Sequence, residues 1–148
     1  MKSVLMTGAS RGLGIEIAKT FLRNGWNVYN VSRTKPVGLE SFSGNFFHKD
    51  FDLKQTDLIK QKIFKEFVTN KISINAVVHN AAIAYDDIVT NVKLAPLRNM
   101  YDINVFSPIM INREAIRNML FNQTPGSIVF VSSISTATGY KGLSMYAS

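Results

Sequence analysis

Apolar residues in this chain fall into two alternating kinds of run. Short, nearly continuous runs at 2–7, Val28 to Ser32, Asn45 to His48, Ile74 to His79 and Ser127 to Ser132 read as strands. Between them, apolar residues return at helical spacing over 13–24, Thr56 to Asn70 and Asn104 to Phe121. In the middle segment Leu58, Ile59, Ile63, Phe64 and Phe67 make one stripe, with lysines on the other face. The stretch from Ala82 to Ile103 reads as loop and helix, with Pro96 marking a first turn or a break. Turns are signalled at Gly25-Trp26-Asn27, at Pro36 and Gly38, and at Thr124-Pro125-Gly126. Strand and helix alternate throughout, which predicts an α/β fold: a doubly wound parallel sheet of about five strands, with the run at 74–79 buried on both faces.

Such a sheet brings the carboxyl ends of its strands together, so Gly8, Arg33, Asp50, Asn80 and Ser133 are expected to line one crevice. The first strand runs into Thr7-Gly8-Ala9-Ser10-Arg11-Gly12-Leu13-Gly14 and then a helix. Gly8 allows a tight turn out of the strand. Gly12 lets the backbone face a pyrophosphate without a Cβ, and Gly14 lets the helix pack closely on the sheet. A surface turn would use similar glycines, but the strand before and the helix after favour a phosphate site at a helix N-terminus.

Composition narrows the chemistry. The 148 residues include no cysteine, which excludes disulfides, thiolate metal sites and a cysteine nucleophile. No apolar run approaches a membrane span, so a cytoplasmic protein with no membrane partner is expected. The formal charge of +7 suits an anionic ligand, but Lys19, Arg23, Arg33, Lys35, Lys60, Lys62, Lys65 and Lys71 are scattered, so no nucleic-acid partner is expected. His48 and His79 lack the companions of a metal site, and none is expected; His79 reads as a packing residue.

The second strand ends in Ser32-Arg33-Thr34, where a site preferring NAD usually carries a carboxylate for the ribose hydroxyls. Arg33 and Arg11 together favour a ribose 2′-phosphate, pointing to NADP(H), with NAD(H) possible and a plain loop role for Arg33 as the alternative. Asp50, followed by Phe51, is placed to accept from an adenine amino group, while Asp52 and Thr56 suit the start of the next helix. Asn80, Ala81 and Ala82 follow the fourth strand, where small residues leave room for the adenosine half.

At the end of the fifth strand stands Ser133, and thirteen residues later Tyr146 in Tyr-Ala-Ser. With the Gly8, Gly12, Gly14 spacing, His79-Asn80-Ala81-Ala82, and Asn104 in Asp-Ile-Asn-Val, the whole chain resembles the first part of a short-chain dehydrogenase/reductase, a Rossmann-like dinucleotide-binding domain. The resemblance implies hydride transfer between a nicotinamide and a small-molecule carbonyl or alcohol. It makes Tyr146 the acid/base, Ser133 a hydrogen-bond partner of the same oxygen, and Asn104 the holder of a water in the proton relay. It also assigns cofactor contacts to Gly8, Ser10, Arg11, Gly12, Leu13, Gly14, Arg33, Asp50, Phe51, Asn80, Ala81 and Ala82.

Two departures accompany the resemblance. His79 and Ala82 replace the first asparagine and the glycine of the family's Asn-Asn-Ala-Gly. The family's lysine four residues after the tyrosine, which favours the phenolate of a group with pKa near 10, would fall past Ser148. A chain cut there is expected to be an incomplete domain with the fifth strand as an edge. It would expose Val105, Ile109, Ile116 and Leu120 on the 104–121 helix and form a homo-oligomer through that helix or edge. A cofactor-binding or interaction module without turnover is the second reading, and an anion binder using the basic surface the third.

Overall fold

The computed structural model describes residues 1–39 and 42–148. Five strands form one sheet: β1 (Ser3–Thr7), β2 (Asn27–Ser32), β3 (Phe46–Asp50), β4 (Ala76–His79) and β5 (Ser127–Phe130). Their order is β3-β2-β1-β4-β5, and every pair is parallel. The chain therefore reverses its direction of growth between β1 and β4, the switch point at which such sheets open a ligand crevice.

Alternation along the central strands feeds two cores. Val4 and Met6 of β1, with Val28 and Val78, pack under Ala18 and Leu22 of α1 (Gly12–Arg23). On the other face Leu5, Val31 and Val77 meet Ile59, Ile63, Phe64 and Val68, together with Ile111, Ala115 and Met119 of α3 (Ser107–Phe121). All five residues of β1 and all four of β4 are buried, as the apolar run at 74–79 predicts.

The segment expected as a helix over 56–70 takes a different form. A short 3-10 turn (Thr56–Leu58) leads into a π-wound segment (Lys60–Lys65), where wider i to i+5 bonds join Glu66 N to Gln61 O at 3.2 Å and Val68 N to Ile63 O at 2.6 Å. Its buried residues, Ile59, Ile63, Phe64 and Val68, recur at intervals of four to five, which suits the wider winding, while Leu58 of the expected stripe is exposed.

The long helix also starts earlier than its pattern suggests. Helical winding begins with α2 (Leu94–Tyr101), which has Pro96 in its first turn, and continues through a π turn (Asp102–Phe106) into α3. Pro108 explains the local change of winding, because it has no N–H to give the carbonyl of Asn104 four residues back. The Ser107 hydroxyl instead donates to the Ile103 carbonyl at 2.8 Å.

β5 is an edge strand, and Val105, Ile109, Ile116 and Leu120 are exposed as expected, joined by Phe106 and Phe121. Among the described residues no helix is long and apolar enough to cross a membrane.

Candidate nucleotide-binding and active site

The glycine turn is held from three directions. Gly8 lies at φ +75°, a left-handed conformation open to glycine, and its N–H donates to the Val31 carbonyl at 3.0 Å. Asn80 donates from Nδ2 to the Gly8 carbonyl at 2.9 Å. The Thr7 hydroxyl accepts from the N–H groups of both Asn80 and Ala81, at 3.2 and 3.1 Å. Asn80 thus bonds across the strand ends, joining β4 to β1 at the switch point. A Cβ on Gly14, in the first turn of α1, would collide with the Gly8 carbonyl oxygen and the Asn80 amide, which explains a glycine where the helix packs against the turn.

Beside this turn lies a cavity of about 630 Å³, within the range of small-molecule and cofactor sites. The turn supplies Gly8, Ser10, Arg11 and Gly12; the β2 end supplies Ser32, Arg33 and Thr34; the segment after β3 supplies Phe51, Asp52 and Leu53; and the β4 end supplies Asn80, Ala81, Ala82 and Ile83. Nine of the twelve residues expected at the cofactor line it. Leu13 and Gly14 do not: Leu13 points outward at the start of α1, and Gly14 is buried beneath the turn. Asp50 is the last residue of β3 and exposed, and it lines a smaller neighbouring cavity with Lys49, Gln55 and Lys62. Asp52, expected only to start a helix, lines the main cavity, while its Oδ1 accepts from Lys54 N–H at 3.1 Å.

Arg11 and Arg33 are both exposed, and among the described residues neither enters an ion pair. Their guanidinium groups remain available to an anion at the cavity wall.

Ile103 also lines the cavity, and Asn104 follows it. The Asn104 amide pairs with both backbone groups of Ile83, accepting from its N–H at 3.0 Å and donating to its carbonyl at 2.8 Å. Ser133 and Tyr146 lie outside the cavity lining. Ser133 begins a 3-10 turn (Ile134–Thr136), its Oγ accepting from Ser135 N–H at 3.2 Å. Tyr146 is half-buried next to buried Met145, in a segment tied down by a bridge between Leu143 and Asp87 and by a 2.8 Å bond between the Ser148 and Tyr101 hydroxyls.

His79 is buried, stacked on Phe130 with ring centroids 4.7 Å apart, and its Nε2 meets Asn112 Oδ1 at 2.7 Å. Asn112 Oδ1 can only accept, so Nε2 carries the proton and Nδ1 is a bare lone pair, which has no partner among the described residues. Burial lowers the His79 pKa, the bond to Asn112 opposing this.

One side chain that braces the turn is absent from the sequence expectations. Asn30 lies in the middle of β2, fully buried, and bonds to the glycine turn through Ala9 N–H at 3.0 Å. Its signal is a polar residue at an inward strand position between Val28 and Ser32.

A parallel sheet ordered 3-2-1-4-5, with a glycine turn at its switch point, defines a doubly wound nucleotide-binding domain. The short chain dehydrogenase family model matches residues 2–148, and the chain belongs to that family. It is 31% identical, over 93% of its length, to an uncharacterized oxidoreductase of Bacillus subtilis, YmfI, of which it covers 58%. It is 32% identical, over 99% of its length, to the 3-oxoacyl-[acyl-carrier-protein] reductase FabG of Buchnera aphidicola subsp. Schizaphis graminum, of which it covers 60%. A solved structure of a tyrosine-to-phenylalanine variant of ElxO with NADPH bound matches 99% of the chain with a TM-score of 0.80 and 27% identity, the chain covering 61% of it. The chain thus spans about three-fifths of the length of these relatives.

Proposed function

We propose that this chain carries the cofactor-binding half of an NADP(H)-dependent oxidoreductase that interconverts a small carbonyl and an alcohol. The observation that carries the reading is one cavity in which the glycine turn, Arg11 and Arg33 meet without a carboxylate at the β2 end. The cradle fits a dinucleotide: nothing lies within 4 Å of a Cβ position on Gly12, which leaves room for a pyrophosphate, and two guanidiniums that enter no ion pair among the described residues suit a ribose phosphate. The neighbours carry both forms of the cofactor, NADPH in ElxO and NADH in 4-hydroxyisoleucine dehydrogenase, so they support a nicotinamide cofactor, and the choice of NADP(H) rests on Arg11 and Arg33.

Gly8, Ser10 and Gly12 would hold the pyrophosphate; Arg11 and Arg33 the 2′-phosphate; Phe51, Asn80, Ala81 and Ala82 the adenosine walls, with Leu13, Gly14 and Asp50 supporting from outside the lining. A nicotinamide supplies hydride chemistry when bound. Tyr146 would give or take the proton at the substrate oxygen, and Ser133 would hydrogen-bond that oxygen. Asn104 suits a water-holding role, because its side chain is spent on Ile83 while Pro108 withholds the usual helical donor from its carbonyl. An oxidoreductase of this kind would act on a small molecule rather than on a nucleic acid or a membrane.

The test is a calorimetric titration of the folded chain with NADPH and, in parallel, NADH. NADPH is expected to saturate and to bind more tightly, and Arg33→Ala to weaken it about ten- to a hundredfold by removing charged hydrogen bonds. A folded chain that binds neither overturns the reading. Where a reduction rate is measured, Tyr146→Phe is expected to abolish it without loss of NADPH binding; binding with no rate in either form favours the module without turnover.

A further inference from the structure

The bonds around Asn30 run beyond Ala9. A fully buried primary amide needs partners for its hydrogens as well as its oxygen, and this one has them. Oδ1 accepts from Ala9 N–H at 3.0 Å, and Nδ2 lies 2.9 Å from Ser32 Oγ and 3.1 Å from His48 Nδ1. Ala9 N–H can only donate, so it fixes which end of the amide faces the glycine turn. Both Nδ2 hydrogens then go to Ser32 and His48, and Ser32 is free to spend its own hydrogen, which it does on the Thr34 carbonyl at 2.9 Å. His48 Nδ1 must be the unprotonated nitrogen of its ring. The result is a line of hydrogen bonds with one direction, from Ala9 through Asn30 and Ser32 to Thr34. Its two ends are two walls of the cavity, the glycine turn and the segment that carries Arg33.

We propose that Asn30 is a positioning residue that, through Ser32, holds the Arg33 segment at a fixed offset from the glycine turn and thereby sets the preference for a phosphorylated over an unphosphorylated ribose. This rests on the cofactor reading above. A dinucleotide is one ligand that meets both walls at once. Its pyrophosphate uses the turn whether or not the ribose is phosphorylated, whereas a 2′-phosphate also uses Arg33. Loosening the tie between the walls therefore penalises the phosphorylated ligand selectively.

Ser32→Ala cuts the line beyond Asn30 and leaves the Ala9 bond in place. Asn30→Asp keeps an acceptor for Ala9 but has no hydrogen for Ser32, whose hydroxyl must then turn to the carboxylate and abandon Thr34. Both variants are expected to lower NADPH affinity about three- to tenfold, as loss of one hydrogen bond does, with NADH affinity changed less than about twofold. In the cofactor-free protein, amide hydrogen exchange at 33–35 is expected to quicken in both, while the Ala9 amide stays protected in Ser32→Ala. Folded variants with wild-type exchange at 33–35, or with an unchanged ratio of NADPH to NADH affinity, overturn the inference. A wild-type chain that binds neither cofactor overturns the cofactor reading instead, and the exchange at 33–35 still decides whether the line positions the segment.

Discussion

Gly14 shows how little room the site leaves at the level of a single atom. It is buried, and a methyl group there would strike backbone, the Gly8 carbonyl, rather than a side chain that can swing aside. Gly14→Ala is therefore expected to destabilise the fold by about 1–3 kcal/mol, the usual cost of overpacking, readable as a lower midpoint in urea unfolding. Gly12 is a contrast: nothing lies within 4 Å of a Cβ there, and its φ of +57° is the whole of its demand. The sequence makes these glycines conspicuous because their chemistry is the absence of a side chain. Asn30 and His48 are harder to find, since a polar residue inside a strand ordinarily faces solvent, and only the register pairing Asn30 with His48 shows that their side chains meet. The same limit applies to Asp50 and Asp52: which of two neighbouring carboxylates faces the cavity depends on where β3 ends, and the strand runs to Asp50 rather than stopping at His48.

Among the elements, the strands follow directly from their apolar runs because parallel strands covered on both faces have little freedom in composition. The helices were less legible. Pro108 changes the winding before α3, and the spacing of Ile59, Ile63, Phe64 and Val68 favours a wider turn, neither of which alters the count of apolar residues that signals a helix. The contact between β4 and α3 carries a pH dependence. His79 joins them through Asn112, and among the described residues its Nδ1 has no partner to receive a bond should it be protonated. Burial lowers the pKa of His79, and burial followed by the charge of Lys35 lowers that of His48 against the opposing pull of Asp50. With both folded pKa values below the unfolded value of about 6.5, the unfolded chain binds more protons in the acid range. Stability from these histidines is thus fully present above about pH 6.5 and is lost as pH falls through the folded pKa values. Urea midpoints are expected to drop between pH 7.5 and 5.5, and to drop less in His79→Gln; an equal drop in the variant would remove His79 as the cause.

At the scale of the whole molecule, the sheet is unevenly covered. α1 shields one face over β1, β2 and β4, but Val129 of β5 on that same face is exposed, and β5 offers an unpaired edge. On the opposite face, Ile109, Ile116 and Leu120 form an outward stripe on α3 at intervals of four and seven, flanked by Arg113 and Arg117. The arginines do not simply keep the stripe in water, because both pair with Glu114, at 2.9 Å each. Exposed apolar surface of this extent ordinarily marks an interaction site, and a helix stripe is self-complementary about a twofold axis. We therefore expect the chain to associate with itself, with an average mass in light scattering that rises with concentration. Ile116→Glu together with Leu120→Glu is expected to hold it near the monomer mass, since both side chains point outward and their replacement leaves the core of Ile111, Ala115 and Met119 intact. A wild-type chain that stays monomeric at high concentration would remove the stripe as a contact between copies. If association persisted in the doubly substituted chain, the unpaired edge of β5 would be the contact instead, because backbone pairing along an edge does not depend on α3.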